Sequence, residues 1–400
     1  MNEPPLHSSP FRRPTEASRI AVVRDTDPYA AAREALAAFD LTPARGKTVL
    51  LKPNAGRLAA PDAGVTTHPA VVAAAIDAFR EAGVRVCVGE SPITGVNTLD
   101  AFEVTGIAAV ARARDCPLID LDARPCRRVA LPDGHVIREL QVCADVLEAD
   151  LVVSIPVMKI HMHTGVTLAV KNMKGCLWRR SKVELHMLPL LKGVGDRALD
   201  IAIADMSWAL RPHLALFDGT TGMEGLGPSA GTPKHLGVVV AGADAYAADA
   251  VACRLMGRRA AEIAHLRIGA ERGYGVIEID RLSVTPDGWE RFAQPFAAAP
   301  ENLSMKFPNV NVLDKQSCSA CQSTLMLFLQ RHGDELAAYV PEGEKLNIAI
   351  GRGHEDLPAG TICVGNCTAC HRESSVFVPG CPPVASNIRK AIQRDRPGSS

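Results

Sequence analysis

Thr48-Val49-Leu50-Leu51-Lys52-Pro53-Asn54 is the stretch on which the fold turns. Its first four residues form an apolar run opened by two β-branched side chains, as a buried strand requires. The run stops at Lys52 and Asn54, polar residues flanking a proline. Pro69 to Ala82 reads as a helix, with proline at its start and Gly83 just past its end. Val84-Arg85-Val86-Cys87-Val88 is the next strand, and it leaves into Gly89-Glu90-Ser91-Pro92. Strand, helix and strand in that order make a βαβ unit, whose two strands run parallel.

The alternation continues on both sides. Ile20 to Val23 is a short strand, and Tyr29 to Phe39 is Ala-rich and helical. Asn97 to Arg114 is helical, Leu118 to Leu121 is a strand, and Arg128 to Leu140 is a hairpin around Pro132-Asp133-Gly134. Asp150 to Pro156 is a strand and Arg197 to Leu210 a helix. Leu214 to Asp218 and Val238 to Ala241 are strands, and Asp244 to Met256 is a helix. Residues 19–286 therefore predict an α/β domain, a mostly parallel sheet with helices on both faces. Residues 1–18 read as a disordered tail. They carry Phe11-Arg12-Arg13-Pro14, but the apolar stretch that an export signal needs does not follow, so a cytoplasmic protein is expected. Residues 287–311 read as a linker, and 312–400 as a small cysteine-rich α+β module.

Composition removes several functions. The chain has 400 residues, with 44 basic and 44 acidic side chains and 4% aromatics. A zero net charge and so few stacking rings argue against nucleic acid. No apolar run approaches the ~18 residues that span a bilayer, so no membrane partner is expected.

In sheets of this class ligands sit beyond the carboxyl ends of the strands. Four polar segments leave strands here. They are Lys52-Pro53-Asn54, Gly89-Glu90-Ser91-Pro92, the glycine-rich Asp218 to Pro228 with Glu224 in it, and the run from Val157 to Cys176. The last carries Lys159, His161, His163, Lys171 and Lys174. A helix over Gly165 to Lys174 would put Thr167, Lys171 and Lys174 on one face. Lysines beside imidazoles suit a small anionic substrate. We assign Lys52, Asn54 and Lys174 to substrate binding and Lys159, His161, Lys171 and Glu224 to catalysis, with Glu90 as a further acid/base group. His161 and His163 have the spacing of metal ligands but no carboxylate companion. Cys176 follows the lysines, whose charge would lower its thiol pKa.

These segments together resemble the domain-of-unknown-function 362 family. The matching stretches are Leu50 to Asn54, Thr66-Thr67-His68-Pro69, Gly89 to Pro92, Pro156 to Gly175, Asp218 to Pro228 and Asp249 to Ala252. The resemblance covers roughly residues 19–260. It implies an iron–sulfur protein, often with a ferredoxin-like segment, but the Cys-x2-Cys-x2-Cys-x3-Cys run of that segment is missing here.

Six of the twelve cysteines crowd the end of the chain: Cys318, Cys321, Cys363, Cys367, Cys370 and Cys381. Thiolates suit zinc or iron–sulfur clusters. Zinc would pair Cys318/Cys321 with Cys367/Cys370; uncommitted thiols are the third possibility. Gly365-Asn366-Cys367 and Val376 to Pro383 are similar to cluster-binding segments of the small iron–sulfur subunit of respiratory complex I and related hydrogenases. That similarity implies Cys367 and Cys381 as ligands of a [4Fe–4S] cluster, with Cys318 and Cys321 completing the set. The resulting expectation is an iron–sulfur redox protein, a reductase of a small anionic substrate served by an electron donor such as ferredoxin. The alternative is a non-enzymatic ligand- or partner-binding protein with structural zinc, and a cluster carrier is a third reading.

Overall fold

A computed structural model describes residues 6, 9–11, 17–189, 191, 193–299, 307, 309–340 and 343–395. The chain divides into two units, Met1–Glu224 with Gly231–Ala297 and Gly225–Ala230 with Ala298–Ser400.

Twelve strands belong to the first unit: β1 (Ser18–Arg24), β2 (Thr48–Pro53), β3 (Arg85–Glu90), β4 (Leu118–Asp120), β5 (Cys126–Ala130), β6 (Glu139–Cys143), β7 (Leu151–Ile155), β8 (Val157–His161), β9 (Gly165–Thr167), β10 (Leu214–Glu224), β11 (Thr232–Gly242) and β12 (Leu282–Thr285). Its helices are α1 (Pro28–Ala37), α2 (Pro69–Glu81), α3 (Thr98–Val104), α4 (Ile107–Arg112), α5 (Ala144–Glu148), α6 (Ala169–Asn172), α7 (Ser181–Glu184), α8 (Ala198–Ala209), α9 (Ala245–Leu255) and α10 (Ala264–Glu271). The main sheet runs β12-β1-β11-β10-β7-β2-β3-β4, with β8 on β10 and β9 on β8. β2, β3, β4, β7 and β10 are mutually parallel, whereas β11 is antiparallel to both β1 and β10.

Alternation along the strands explains the two covered faces. Val49, Leu51, Val153, Leu216 and Val239 pack with α1, α2 and α4 in one core. On the other face Gly242 lies directly under Ala248 of α9. The chain moves from β2 outward to β3 and β4, then returns to β7 on the other side of β2. This reversal makes β2/β7 the switch point of the strand order, and the crevice in which sheets of this class hold their ligands lies beyond the carboxyl ends at such a point.

The second unit has β13 (Val310–Asp314), α11 (Ser319–His332), β14 (Leu346–Ile350), β15 (Ile362–Val364), β16 (Val376–Val378) and α12 (Ala385–Asp395). Its four strands pair in chain order and all are parallel. Leu325, Phe328, Ile348, Ile350, Val364, Ile388 and Ile392 form its core. An all-parallel sheet, with α11 between β13 and β14 and α12 after β16, makes this unit α/β, where the sequence suggested α+β.

Other differences are local. The helix expected over 97–114 is two, interrupted at Thr105 and Gly106. The glycine-rich stretch after Asp218 is no loop at first: β10 runs on to Glu224, because β11 supplies ladder partners as far as Thr232. The expected linker begins inside the first unit, where Trp289 and Phe296 are buried and Phe296 N donates to Met256 O at 3.0 Å. In the expected tail, Leu6 is buried, Phe11 packs edge-on against Phe79 and Ser18 opens β1. Arg12, Arg13 and Pro14 lie outside the described residues.

Candidate anion-binding site and four-thiol site

At the β2/β7 crevice the strand ends bring several cations together. Lys52, the penultimate residue of β2, is 1% exposed. Its Nζ donates to Glu90 at 2.9 Å, to Pro53 O at 2.8 Å and to Asn172 Oδ1 at 3.3 Å. Glu90, the last residue of β3, also accepts from the backbone of Ala55 and Ser91 at 2.8 and 2.9 Å. A Cβ at Gly175 would fall 2.5 Å from Glu90 Oε1 and 2.6 Å from Lys52 Nζ, so only glycine lets this turn close over the pair. All three ammonium donors of Lys52 are thus spent on the protein. It is a structural ion pair and not the substrate ligand expected from its position. Lys182 is closed in the same way, by Ser91, Pro92 O at 2.8 Å and Asp122 at 3.4 Å.

Lys159 and Lys171 are different. Lys159, in the middle of β8, is 3% exposed and donates to Val65 O at 2.7 Å and Asn54 Oδ1 at 3.4 Å. Asn54 therefore orients a lysine. Burial pulls the Lys159 ammonium down to about 7, and the positive charges of Lys171 and Arg57 add to the effect. Lys171, on α6, is also buried; its one hydrogen bond among the described residues is a 3.5 Å contact with Thr167 Oγ1. Burial lowers it to about 8, with the Asp200 carboxylate working against that shift. Behind Lys171, Asp200 and His265 are 3.3 Å apart, both buried.

The expected helix over 165–174 is strand β9, the single turn α6 and a 3-10 turn, Met173–Cys176. β8 and β9 pair at Lys159↔Thr167, so Thr167 reaches Lys159 by sheet pairing, and Lys171 follows on α6 with its Nζ 3.5 Å from Thr167 Oγ1. Lys174 hydrogen-bonds His186 Nε2, which holds its ammonium. His161 Nδ1 accepts from the backbone of His163 and Thr164 at 3.1 and 3.3 Å. That fixes the proton on Nε2 and takes one ring nitrogen away from any metal. Burial, then the charge of Lys171, holds His161 well below its ordinary range, so the imidazole is neutral.

Two further expectations fail for identifiable reasons. Glu224 is not part of the lysine group. Met223 is the register partner of Lys159, so Glu224 points to the opposite side of the sheet. There it accepts from Ala297 N at 2.9 Å and pairs with Lys234 at 3.8 Å. Cys176 is fully buried, and burial pushes its thiol up to about 12 against the opposing charge of Lys52.

Buried carboxylates stitch the polar segments to one another through backbone N–H groups. Asp218 accepts from His68 N at 2.7 Å, and Asp249 accepts from Ala169 N at 2.7 Å and Val170 N at 3.2 Å. Arg57, Asp200 and His265 belong to the site or its support and had no signal in the sequence. Each stands alone in its segment and meets the others only through the fold.

In the second unit the cysteines also gather at strand ends. Cys318 caps α11 just after β13, with Cys321 in the first turn; Cys367 follows β15, and Cys381 follows β16. The Cys321 thiol is pushed up by a hydrogen bond with Cys318, by burial and by the neighbouring Cys367 and Cys381. Burial raises the Cys367 thiol in turn, and Cys318 and Cys381 add to the effect. The loops carrying Cys367 and Cys381 are braced together: Asn366 N donates to Gly380 O at 2.9 Å and Gly380 N to Asn366 Oδ1 at 2.8 Å. Gly365 adopts φ 97°, and a Cβ there would meet Cys321 Sγ at 3.0 Å. Cys363 lies apart, its thiol bonded to Ser375 and Thr368, and Cys370 is exposed.

Among the described residues no three His, Cys, Asp or Glu side chains are set to hold a metal ion as they stand. The donor set nonetheless fits a thiophilic group. Cys318, Cys367 and Cys381 stand near enough to Cys321 for their charges to act on it, Gly365 keeps the space beside Cys321 Sγ clear, and thiolates are the ligands such a group prefers. None of the twelve cysteines is in a disulfide.

The fold and these side chains define an α/β protein with a group of buried cations near its strand ends. The model of a family described as a domain of unknown function, DUF362, matches residues 49–254, and the chain belongs to that family. The thylakoid-associated protein sll1697 of Synechocystis sp. is 31% identical over 206 residues, which are 52% of this chain and 62% of that protein. The matched region thus spans less than two thirds of that relative's length. Among solved structures, the lactate racemase apoprotein from Thermoanaerobacterium thermosaccharolyticum aligns with 66% of this chain and 58% of its own, at 16% identity and a TM-score of 0.37. Nothing about activity or ligand follows at that level. No helix among the described residues is long and apolar enough to cross a membrane.

Proposed function

We propose that this protein is an iron–sulfur oxidoreductase that reduces a small anionic substrate held in the β2/β7 crevice. The redox part is supported by the nearness of Cys318, Cys367 and Cys381 to Cys321. They would hold a [4Fe–4S] cluster, which supplies electrons singly when bound. The electrons would come from a protein donor such as ferredoxin. A cytoplasmic location suits an all-thiol protein.

The substrate side rests on Lys159 and Lys171. Two ammonium groups with few protein partners bind an anion and neutralise charge that builds up on it. Lys159 does more. With its pKa about 7 it holds a transferable proton on Nζ near neutral pH, the condition for acid/base work. Asn54 and Val65 O keep that Nζ in place. His161, neutral with its proton on Nε2, is a fixed donor for a substrate oxygen.

The test is anaerobic purification of the full chain, then iron, sulfide and zinc analysis with a visible spectrum. We expect about four irons per chain and broad absorbance. Replacing Cys318, Cys321, Cys367 or Cys381 singly with Ser should remove most of the iron, whereas Cys363→Ser and Cys370→Ser should keep it. One zinc per chain without sulfide would sink the redox function and make the second unit's site structural.

A further inference from the structure

Arg57 lies in the segment between β2 and α2, near the end that is tied down by Asn54 N to Ile155 O at 3.1 Å. Its Nε is closed off from solvent without a hydrogen-bond partner. Its terminal nitrogens make no hydrogen bond or ion pair with any described residue either, but the side chain as a whole is only half-buried, so they remain open. The guanidinium stands close enough to Lys159 for its charge to act there. Burial alone lowers Arg57, to about 10, and no carboxylate opposes that shift.

The local charges do not balance. Lys52 is neutralised by Glu90. Lys171 has Asp200 behind it. Lys159 and Arg57 have no carboxylate of their own: the former has only neutral oxygens and the latter nothing among the described residues. Two uncompensated cations, one of them a planar fork, match an oxyanion bound in bidentate fashion.

We propose that Arg57 selects the ligand of this site, gripping two oxygens of a carboxylate or phosphoryl group through its terminal nitrogens, so that the ligand is a small dianion. This rests on the anion-binding reading of the crevice and adds to it the charge of the ligand and the residue that reads it. Carboxylate and phosphoryl groups share the geometry, and only a comparison of probes separates them.

The test is calorimetric titration of the full-length protein with succinate and inorganic phosphate as dianions, and with acetate and chloride as monoanions. Wild type should prefer the dianions, and whichever of the two binds more tightly identifies the oxyanion. Arg57→Gln should weaken dianion binding about 10- to 100-fold, as expected for lost charge-assisted hydrogen bonds, and leave acetate nearly unchanged. Arg57→Lys keeps the charge without the fork and should recover only a small part. If Arg57→Gln binds like wild type while Lys171→Gln does not, the role of Arg57 is refuted and the anion site stands. If wild type binds none of the four probes, both are refuted. Should Arg57→Gln fail to fold by circular dichroism, Arg57→Lys decides: full dianion affinity in that variant overturns the proposal.

Discussion

Lys159 carries the chemistry of the crevice, and its environment sets a pH dependence with opposite signs for stability and for binding. Lys171, Arg57 and Lys52 lie around it as cations, with Glu90 the carboxylate among its neighbours. Its folded pKa is about 7, against an ordinary 10.5. Between those values the unfolded chain binds more protons than the folded one, so this group's contribution to stability rises with pH across that window. Below about pH 7 the buried ammonium is charged in both states and its burial penalty is felt in full. A bound dianion favours the charged form. Succinate affinity should therefore fall about tenfold per pH unit at most as pH rises through the Lys159 pKa, while the unliganded protein becomes more resistant to urea. Lys159→Met should flatten both profiles, and an affinity that stays level from acid to alkaline pH would exclude Lys159 as the ionising group. Lysine spacing in the sequence pointed to these side chains. It did not distinguish Lys52, closed by Glu90, from Lys159, because that difference depends on what a distant strand places beside each ammonium.

At the scale of elements the decisive piece is α6, a single turn that presents Lys171 and Asn172. One turn cannot hold itself together in water. Asp249 of α9 stabilises it by accepting from the first two amides, Ala169 and Val170. Asp249→Ala would leave two buried donors unpaired, which costs about 2–5 kcal/mol. We expect that loss in urea denaturation, together with weakened succinate binding as Lys171 shifts; Asp249→Asn, which retains one acceptor oxygen, should lose less. Unchanged stability in Asp249→Ala would show that α6 is held by packing alone. The strands around the site were legible because they are apolar runs bounded by polar exits. The helix expected over 165–174 was not, since β8 and β9 pair through backbone groups that side-chain periodicity does not report.

At the scale of the whole molecule, both units place reactive side chains at the carboxyl ends of parallel strands. In the second unit the four thiols link loops after β13, β15 and β16, so a bound group would tie three parts of that core together. Removing it with a chelator, or replacing Cys381 with Ser, should lower hydrogen-exchange protection across residues 310–395. Protection in β2 and β7 should stay as it is, since those strands are buried in the first unit's own core. Equal loss in both regions would mean that the group's contribution is not confined to the second unit.

The amino-acid sequence by itself determined the βαβ alternation of the first unit, the polar strand exits and the separation of a cysteine-rich end. All of these are local: runs of apolar residues, prolines and glycines at helix ends, and short spacings between like side chains. The tertiary structure alone decided which cations are neutralised, which side of the sheet Glu224 faces, and that Cys363 and Cys370 lie apart from the other four C-terminal thiols. It alone brought Arg57 close enough to Lys159 for its charge to act there. Burial and charge balance arise from residues far apart in the chain, and no local pattern records which of them will meet.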